Sequence, residues 1–142
     1  MKKISFFAFA LSAIAMTSAC KTAQKTETLS SDELNGKWTI TNVDNKEIKI
    51  ENAPFMDFLG ENKIHANVGC NIYNSTYTYD AATGVLTFSA NGQMTMMMCP
   101  DMATESAIVK AISTTHKVEK ASTANCINFL NEAGEVVLTL CK

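Results

Sequence analysis

Three pairs of short segments with alternating apolar and polar residues are the feature that most limits the fold of this chain. The segments of each pair are separated by a glycine-containing turn, at residues 60–62, 80–84 and 131–135. Alternation with a period of two predicts strands with one buried face, and a short turn rich in glycine and asparagine joins antiparallel neighbours. We therefore expect a fold built on three antiparallel hairpins.

A further strand is predicted before the first hairpin. Trp38 and Ile40 alternate with polar residues after an Asn-Gly pair, so both are expected to face the core. Val43 falls out of step with them, which indicates a bulge or a strand end near Asn42.

A single stretch has helical rather than strand periodicity. Ile108, Ala111 and Ile112 recur on one helical face after Asp101, with Glu105 early in the segment. The predicted fold class is therefore α+β, mostly antiparallel β, with about six or seven strands in a curled sheet or partial barrel and one main α-helix.

The first residues predict export from the cytoplasm. A basic start is followed by an apolar run from Ile4 to Ala15 and then by Ala19-Cys20, the pattern of a signal peptide. The small residues before Cys20 are similar to a bacterial lipobox, so Cys20 is the predicted lipidation site. An ordinary cleavage after Ala19 is the alternative, and it would leave a soluble protein.

The predicted domains follow from this start. Residues 1–19 form the signal peptide, residues 20–33 a lipidated flexible tether poor in apolar side chains, and residues 34–142 one small domain. The expected location is the cell envelope, with the lipid anchor in the outer membrane as the membrane contact.

Charge excludes one class of partner. The chain has 12 basic and 14 acidic residues, contains no arginine, and lacks a basic cluster. Nucleic-acid binding normally requires a basic surface, so we expect no nucleic-acid partner.

Four cysteines follow Cys20, which suits two disulfides in an exported protein. Cys126 and Cys141 lie almost equally far from the last turn and should face each other across the hairpin, which leaves Cys70 to pair with Cys99. A register shift of one residue in that hairpin would change the pairing, so all three connectivities stay open at this point. Metal ligation is the alternative for reduced thiols, but their spacings match no zinc motif.

The most unusual local composition is a run of methionines at Met94, Met96, Met97 and Met98. Flexible thioether side chains suit an adaptable binding edge or a filled gap in the core. Thioethers also bind Cu(I), so a copper-binding or small-ligand envelope carrier is the alternative function.

Two blocks of the sequence resemble the signature blocks of the META/HslJ family. These are the segments 69–77, which contains Gly-Cys-Asn, and 94–100, which contains Met-Thr-Met-Met-Met-Cys-Pro and leads into the predicted helix. Met96 stands where the family usually has arginine. The resemblance implies a compact β-rich domain without established catalysis, an association with heat shock and envelope stress, and scaffold roles for Cys70, Asn71 and Cys99.

No residue pattern indicates catalysis. His65 and His116 are the only histidines, and neither lies in a recognisable nucleophile motif. We therefore expect no enzyme activity, no cofactor and no metal. The leading hypothesis is a non-catalytic envelope lipoprotein that binds an unidentified envelope protein or component under stress.

Overall fold

The computed structural model describes residues 27–142. Within them the chain forms ten strands and two helices. The strands are β1 (Gly36–Val43), β2 (Lys46–Glu47), β3 (Phe55–Leu59), β4 (Lys63–Asn67), β5 (Ile72–Asp80), β6 (Val85–Phe88), β7 (Gln93–Met94), β8 (Thr115–Lys120), β9 (Cys126–Asn131) and β10 (Val136–Cys141). The helices are α1 (Ser31–Leu34) and α2 (Met102–Thr114).

Eight of the strands form a closed antiparallel barrel. Their order is β1-β3-β4-β5-β6-β8-β9-β10, and β10 pairs back onto β1. The short strand β2 pairs with β1, and β7 pairs with β5. Closure leaves none of these eight strands as a free sheet edge.

The predicted class is confirmed in its main features, because the sheet is antiparallel and α2 is the one long helix in the described residues. The predicted strand count was too low, and the predicted curled sheet or partial barrel is in fact a closed barrel of eight strands with two further short strands. β2 and β7 have only two residues each, too few to show alternation, and β8 follows α2 directly without a turn residue between them. Pairing of the first barrel strand with the last is a long-range contact, which local patterns do not reveal.

The three hairpins and their core-facing residues agree with the alternation. They are β3–β4, β5–β6 and β9–β10. Trp38 and Ile40 are buried, and the β1–β10 register shifts between Ile40 and Asn42, which confirms the predicted irregularity beside Val43.

Aromatic side chains pack against one another inside the barrel. The Phe58 ring contacts Tyr77 edge-on, with centroids 5.1 Å apart, and Phe129 at 6.3 Å. Phe129 is completely buried. This packing supplies the hydrophobic stabilisation that a domain of this size requires.

The helix α2 covers one end of the barrel. It contacts β1 and β6, which lie opposite each other in the strand order, as well as β9 and β10 between them. Ile108, Ala111 and Ile112 are its buried apolar residues, as their spacing predicts.

The segment before β1 covers the other end. Leu29 and Leu34 are buried there, and the Trp38 indole donates a hydrogen bond to the Leu34 carbonyl at 2.8 Å. The last residue, Lys142, binds the same segment, because its ammonium group donates to the Glu33 and Asn35 carbonyls.

The last part of the predicted tether contacts the barrel. Residues 27–33 pack on the barrel, and the Lys120 N–H donates to the Glu27 carbonyl at 2.9 Å. The buried Leu29 and a Ser30-x-x-Glu33 capping box make this segment part of the fold. The signal peptide at 1–19, the lipidation site Cys20 and the first part of the tether lie outside the described residues.

Among residues 27–142, neither helix has the length and apolar character needed to cross a membrane.

Candidate functional site

The two sequence blocks singled out above meet at the α2 end of the barrel. β7, from the second block, pairs with the start of β5, from the first, with Met94 opposite Tyr73. Beyond β7 the Thr95 N–H donates to the Ile72 carbonyl at 3.0 Å. We call the next three residues, Met96, Met97 and Met98, the methionine loop.

A disulfide between Cys70 and Cys99 closes the C-terminal end of this loop. Gly69, directly before the bond, has a φ of +146°, a conformation that favours glycine, and it lies against the Glu105 side chain. The loop is thus tied covalently to the start of β5. Cys70 and Cys99 are the pair expected once Cys126 is assigned to Cys141.

Asn71 holds the middle of the loop from below. Its Oδ1 accepts hydrogen bonds from the Met97 N–H and the Thr95 hydroxyl, both at 2.8 Å, and its Nδ2 donates to the Met97 carbonyl at 3.0 Å. Asn71 is only 1% exposed. One buried amide therefore fixes both backbone groups of the central methionine.

Glu105 completes the network from the first turn of α2. Its Oε1 accepts from Asn71 Nδ2 at 2.7 Å and its Oε2 from the Asn71 N–H at 3.1 Å. The side chain is buried, although it was expected only as an early helical charge. Its spacing from Ile108 and Ile112 places it on the apolar face, a signal in the sequence that could have revealed this role.

The methionine loop itself projects into solvent. Met96 is 84% exposed, Met97 54% and Met98 99%. Met94, which was grouped with them as a binding edge, is instead half-buried and packs against the core. The structure therefore limits the exposed edge to three consecutive methionines on an immobilised backbone.

The arrangement below the loop does not offer free metal ligands. Cys70, Cys99 and Glu105 form the group of three potential ligands found in the described residues, with their ligand atoms within 4.8 Å of one another. Both sulfurs are already joined in the disulfide. Thiolate ligation at this place would require prior reduction of that bond.

The two histidines lie apart from this site. His65 Nδ1 is 2.8 Å from the Asn74 amide oxygen on the outer face of β4 and β5, and His116 is exposed on β8. His116 lies two residues after the end of α2 at Thr114.

The second disulfide lies at the opposite end of the barrel from the methionine loop. Cys126 and Cys141 face each other in the β9–β10 register and are bonded, again in the expected pairing. The bond closes the strand ends next to the point where β10 pairs with β1.

A cleft of about 420 Å³ lies at the α1 end, lined by Glu33, Lys120 and Lys142 among others. The Lys120 ammonium group is 2.9 Å from the Glu33 carboxylate. The pKa of Glu33 is lowered from 4.5 to about 2, mainly because it accepts a hydrogen bond from the Ser30 N–H, with Lys120 and the Ser30 hydroxyl adding to the effect. These bonds are already used to cap α1 and attach it to β8.

Solved structures with a similar fold support the architecture. A protein from Burkholderia xenovorans solved by NMR has a TM-score of 0.58 at 15% identity, covering 99% of this chain and 96% of that one. Another NMR structure has a TM-score of 0.59 at 19% identity, covering 80% and 95%. A crystal structure of a DUF4847 family protein from Bacteroides vulgatus has a TM-score of 0.55 at 10% identity, covering 75% and 92%.

These likenesses concern the fold alone, given their low identities. No curated protein matches the sequence. The family model of the META domain matches residues 27–141, which include the barrel, both covering helices and the methionine loop. The chain therefore belongs to the META domain family.

Proposed function

We propose that this protein is a non-catalytic envelope lipoprotein that binds a partner protein through the methionine loop. The observation that carries the proposal is the exposure of three consecutive apolar side chains on a backbone that is held in place. Methionine side chains adapt to different apolar surfaces, a property used by promiscuous protein-binding sites.

Both parts of the arrangement favour association. Burial of apolar side chains contributes a favourable free energy of about 25 cal/mol per Å² of apolar surface. Asn71 and the Cys70–Cys99 bond fix the backbone before any partner arrives, so less conformational entropy is lost on binding.

Charge favours a protein over an anionic lipid surface as the docking partner. All fourteen acidic residues but only eight of the twelve lysines lie in residues 27–142, so this part has a formal charge of −6. Anionic lipids attract clusters of basic residues, whereas an acidic domain is repelled by them. The predicted membrane contact is therefore the lipid on Cys20 and not the barrel.

The proposed location in the envelope rests on the predicted signal peptide, and the two disulfides support it. Structural disulfides are typical of proteins that fold in an oxidising compartment. A role in stress tolerance is what the resemblance to the META/HslJ family implies.

Crosslinking in intact cells followed by mass spectrometry tests the proposal. The wild type is compared with a variant in which Met96, Met97 and Met98 are all serine, and with a matched variant in which all three are leucine. We expect one reproducible partner with the wild type and the leucine variant and its loss with the serine variant. Equal recovery with all three chains, or no partner at rest and under stress, would contradict the proposal.

Transport of Cu(I) is a second candidate, because three accessible thioethers are adjacent on the loop. Titration with Cu(I) should then raise the thermal unfolding temperature of the wild type but not of the leucine variant. An unchanged unfolding temperature for both would exclude this candidate.

A further inference from the structure

The sulfur atoms in the described part of the chain are of two kinds, oxidised in disulfides and reduced in thioethers. All four cysteines of residues 27–142 are joined in disulfides and are already oxidised. Six of the eight methionines lie in the same region, and their thioethers remain reduced. Methionine is therefore the side chain in this region whose sulfur can still be readily oxidised.

Access to these six thioethers differs strongly. Met98 is 99% exposed and Met96 84%, followed by Met97 at 54% and Met102 at 41%. Met94 packs against the core, and Met56 is completely buried. Oxidation of methionine follows exposure, so the fold directs an oxidant to the methionine loop and protects the methionine in the core.

The loop can also accept the modification without loss of the fold. The contacts that hold it use backbone groups of Met97, the Thr95 hydroxyl and the Cys99 sulfur, and none uses a thioether of the loop. An added oxygen on Met96 or Met98 points into solvent and displaces no buried neighbour.

We propose that the methionine loop is a modification site for two-electron oxidants such as peroxides and hypohalous acids, and that its oxidation weakens partner docking. Hydrogen peroxide transfers one oxygen atom to the thioether sulfur, which loses two electrons, while the O–O bond breaks and the other oxygen leaves as water. A hypohalous acid transfers its oxygen in the same way, while the O–halogen bond breaks and a halide ion and a proton leave. The second part of the proposal rests on the proposed function.

The chemical consequence is a change of surface character at a fixed position. A methionine sulfoxide is polar and accepts hydrogen bonds, so the apolar edge becomes hydrophilic. Its exposure also makes the sulfoxide accessible to dithiol-dependent methionine sulfoxide reductases, which return the sulfur to the thioether and release water. The loop would thus report oxidising conditions reversibly, while the barrel stays folded.

The first experiment needs no partner. The purified full chain is treated with dilute hydrogen peroxide, and peptides are analysed by mass spectrometry over time. We expect oxygen uptake at Met98 and Met96 to be at least about tenfold faster than at Met56, with Met97 intermediate and the unfolding temperature unchanged. Uptake at Met56 at the rate of the loop, or unfolding in step with oxidation of the loop, would overturn the proposal.

The second experiment tests the effect on docking. Crosslinking in cells is repeated after a peroxide pulse for the wild type and for the variant with leucine at all three loop positions. We expect the partner signal of the wild type to fall at least about fivefold and to recover with removal of the oxidant, and that of the leucine variant to stay constant.

The two proposals fail in different ways. A partner signal that survives complete oxidation of the loop overturns the docking part of the inference and leaves the proposed function standing. Absence of any partner before the pulse contradicts the proposed function and the docking part together, while the order of oxidation still decides the modification site.

Discussion

At the scale of single residues, the site depends on a polar contact rather than on a reactive group. Asn71 uses its backbone N–H, its Nδ2 and its Oδ1 to join β5, the methionine loop and α2. A buried polar group without partners is destabilising by about 1–3 kcal/mol, so each of these bonds supports the others. The network therefore holds the methionine loop in place at the surface of the barrel.

Substitution of this residue should therefore be costly. Asn71→Ala leaves the Glu105 carboxylate and the Met97 backbone without their partners in a buried place, and we expect a loss of about 3 kcal/mol in the free energy of unfolding. Urea denaturation measures it. Asn74→Ala, on the exposed side of the same strand, serves as the control with an expected change of about 0.5 kcal/mol or less. Similar losses for both variants would contradict this role.

Residue-scale prediction from the sequence was uneven for a physical reason. Cys70, Asn71 and Cys99 were expected as scaffold positions from the family blocks, and the structure places them together. Glu105 was expected only as an early charge of the helix, and its burial was not predicted, because a carboxylate is rarely buried without partners. Its partner is Asn71, directly before β5 and 34 residues earlier in the chain, and no local sequence pattern predicts this contact.

At the scale of elements, α1 is a short helix whose stability depends on its cap. Glu33 accepts from the Ser30 N–H at 2.7 Å, and the Ser30 hydroxyl accepts from the Glu33 N–H at 3.2 Å. The four-residue helix went unpredicted, although Ser-x-x-Glu is the pattern of a capping box. Helices of this length are stabilised by their caps and by buried residues such as Leu34, and they are too short to show a helical period in the sequence.

The cap should make stability depend on acid pH. The folded-state pKa of Glu33 is about 2, below its ordinary value of 4.5. The ionised carboxylate therefore stabilises the fold above about pH 4.5, and this contribution is lost as the pH falls from 4.5 towards 2. The difference in denaturation midpoint between wild type and Glu33→Gln should shrink over that window. Glu132→Gln, on the exposed β9–β10 turn, is the control, and a constant difference for Glu33→Gln would contradict the assignment.

The two disulfides stabilise different parts of the molecule. Cys126–Cys141 closes a separation of 15 residues, and its removal by paired serine substitutions should lower the free energy of unfolding by about 3 kcal/mol. Removal of Cys70–Cys99 should in addition release the loop and expose residues 95–101 to proteases. Limited proteolysis distinguishes the two variants, and equal cleavage of this segment in both would show that the bond does not hold the loop.

Hairpins were the elements best predicted from the sequence, since their turns are local and carry glycine or asparagine. β8 was missed because Thr114 of α2 is followed directly by Thr115 of the strand. A helix-to-strand change without an intervening turn leaves no composition signal.

At the scale of the whole molecule, the closed barrel explains how a small domain can display an apolar loop and keep a stable core. The α2 and α1 segments cover its two ends, and Lys142 ties the last residue back to the segment before β1. Closure could not be predicted from local sequence, because the pairing of β1 with β10 joins residues about a hundred positions apart, such as Thr39 and Cys141.

Amide hydrogen exchange should reveal the closure. In a closed barrel, β1 and β10 each have a hydrogen-bonded neighbouring strand on both sides. We therefore expect their amides to be as well protected from exchange as those of β4 and β9. The short strands β2 and β7 should exchange much faster. Fast exchange confined to β1 and β10 would indicate an open sheet and contradict the topology.

Docking through the methionine loop can be tested in cells with a photo-crosslinking amino acid introduced at single positions of the domain. The label is placed in turn at Met96, Met97 and Met98, and at Ser122 in the exposed β8–β9 connection at the opposite end of the barrel. We predict one crosslinked protein of constant mass from the loop positions and only background from Ser122. Equal crosslinking from Ser122, or none from the loop, would contradict the account.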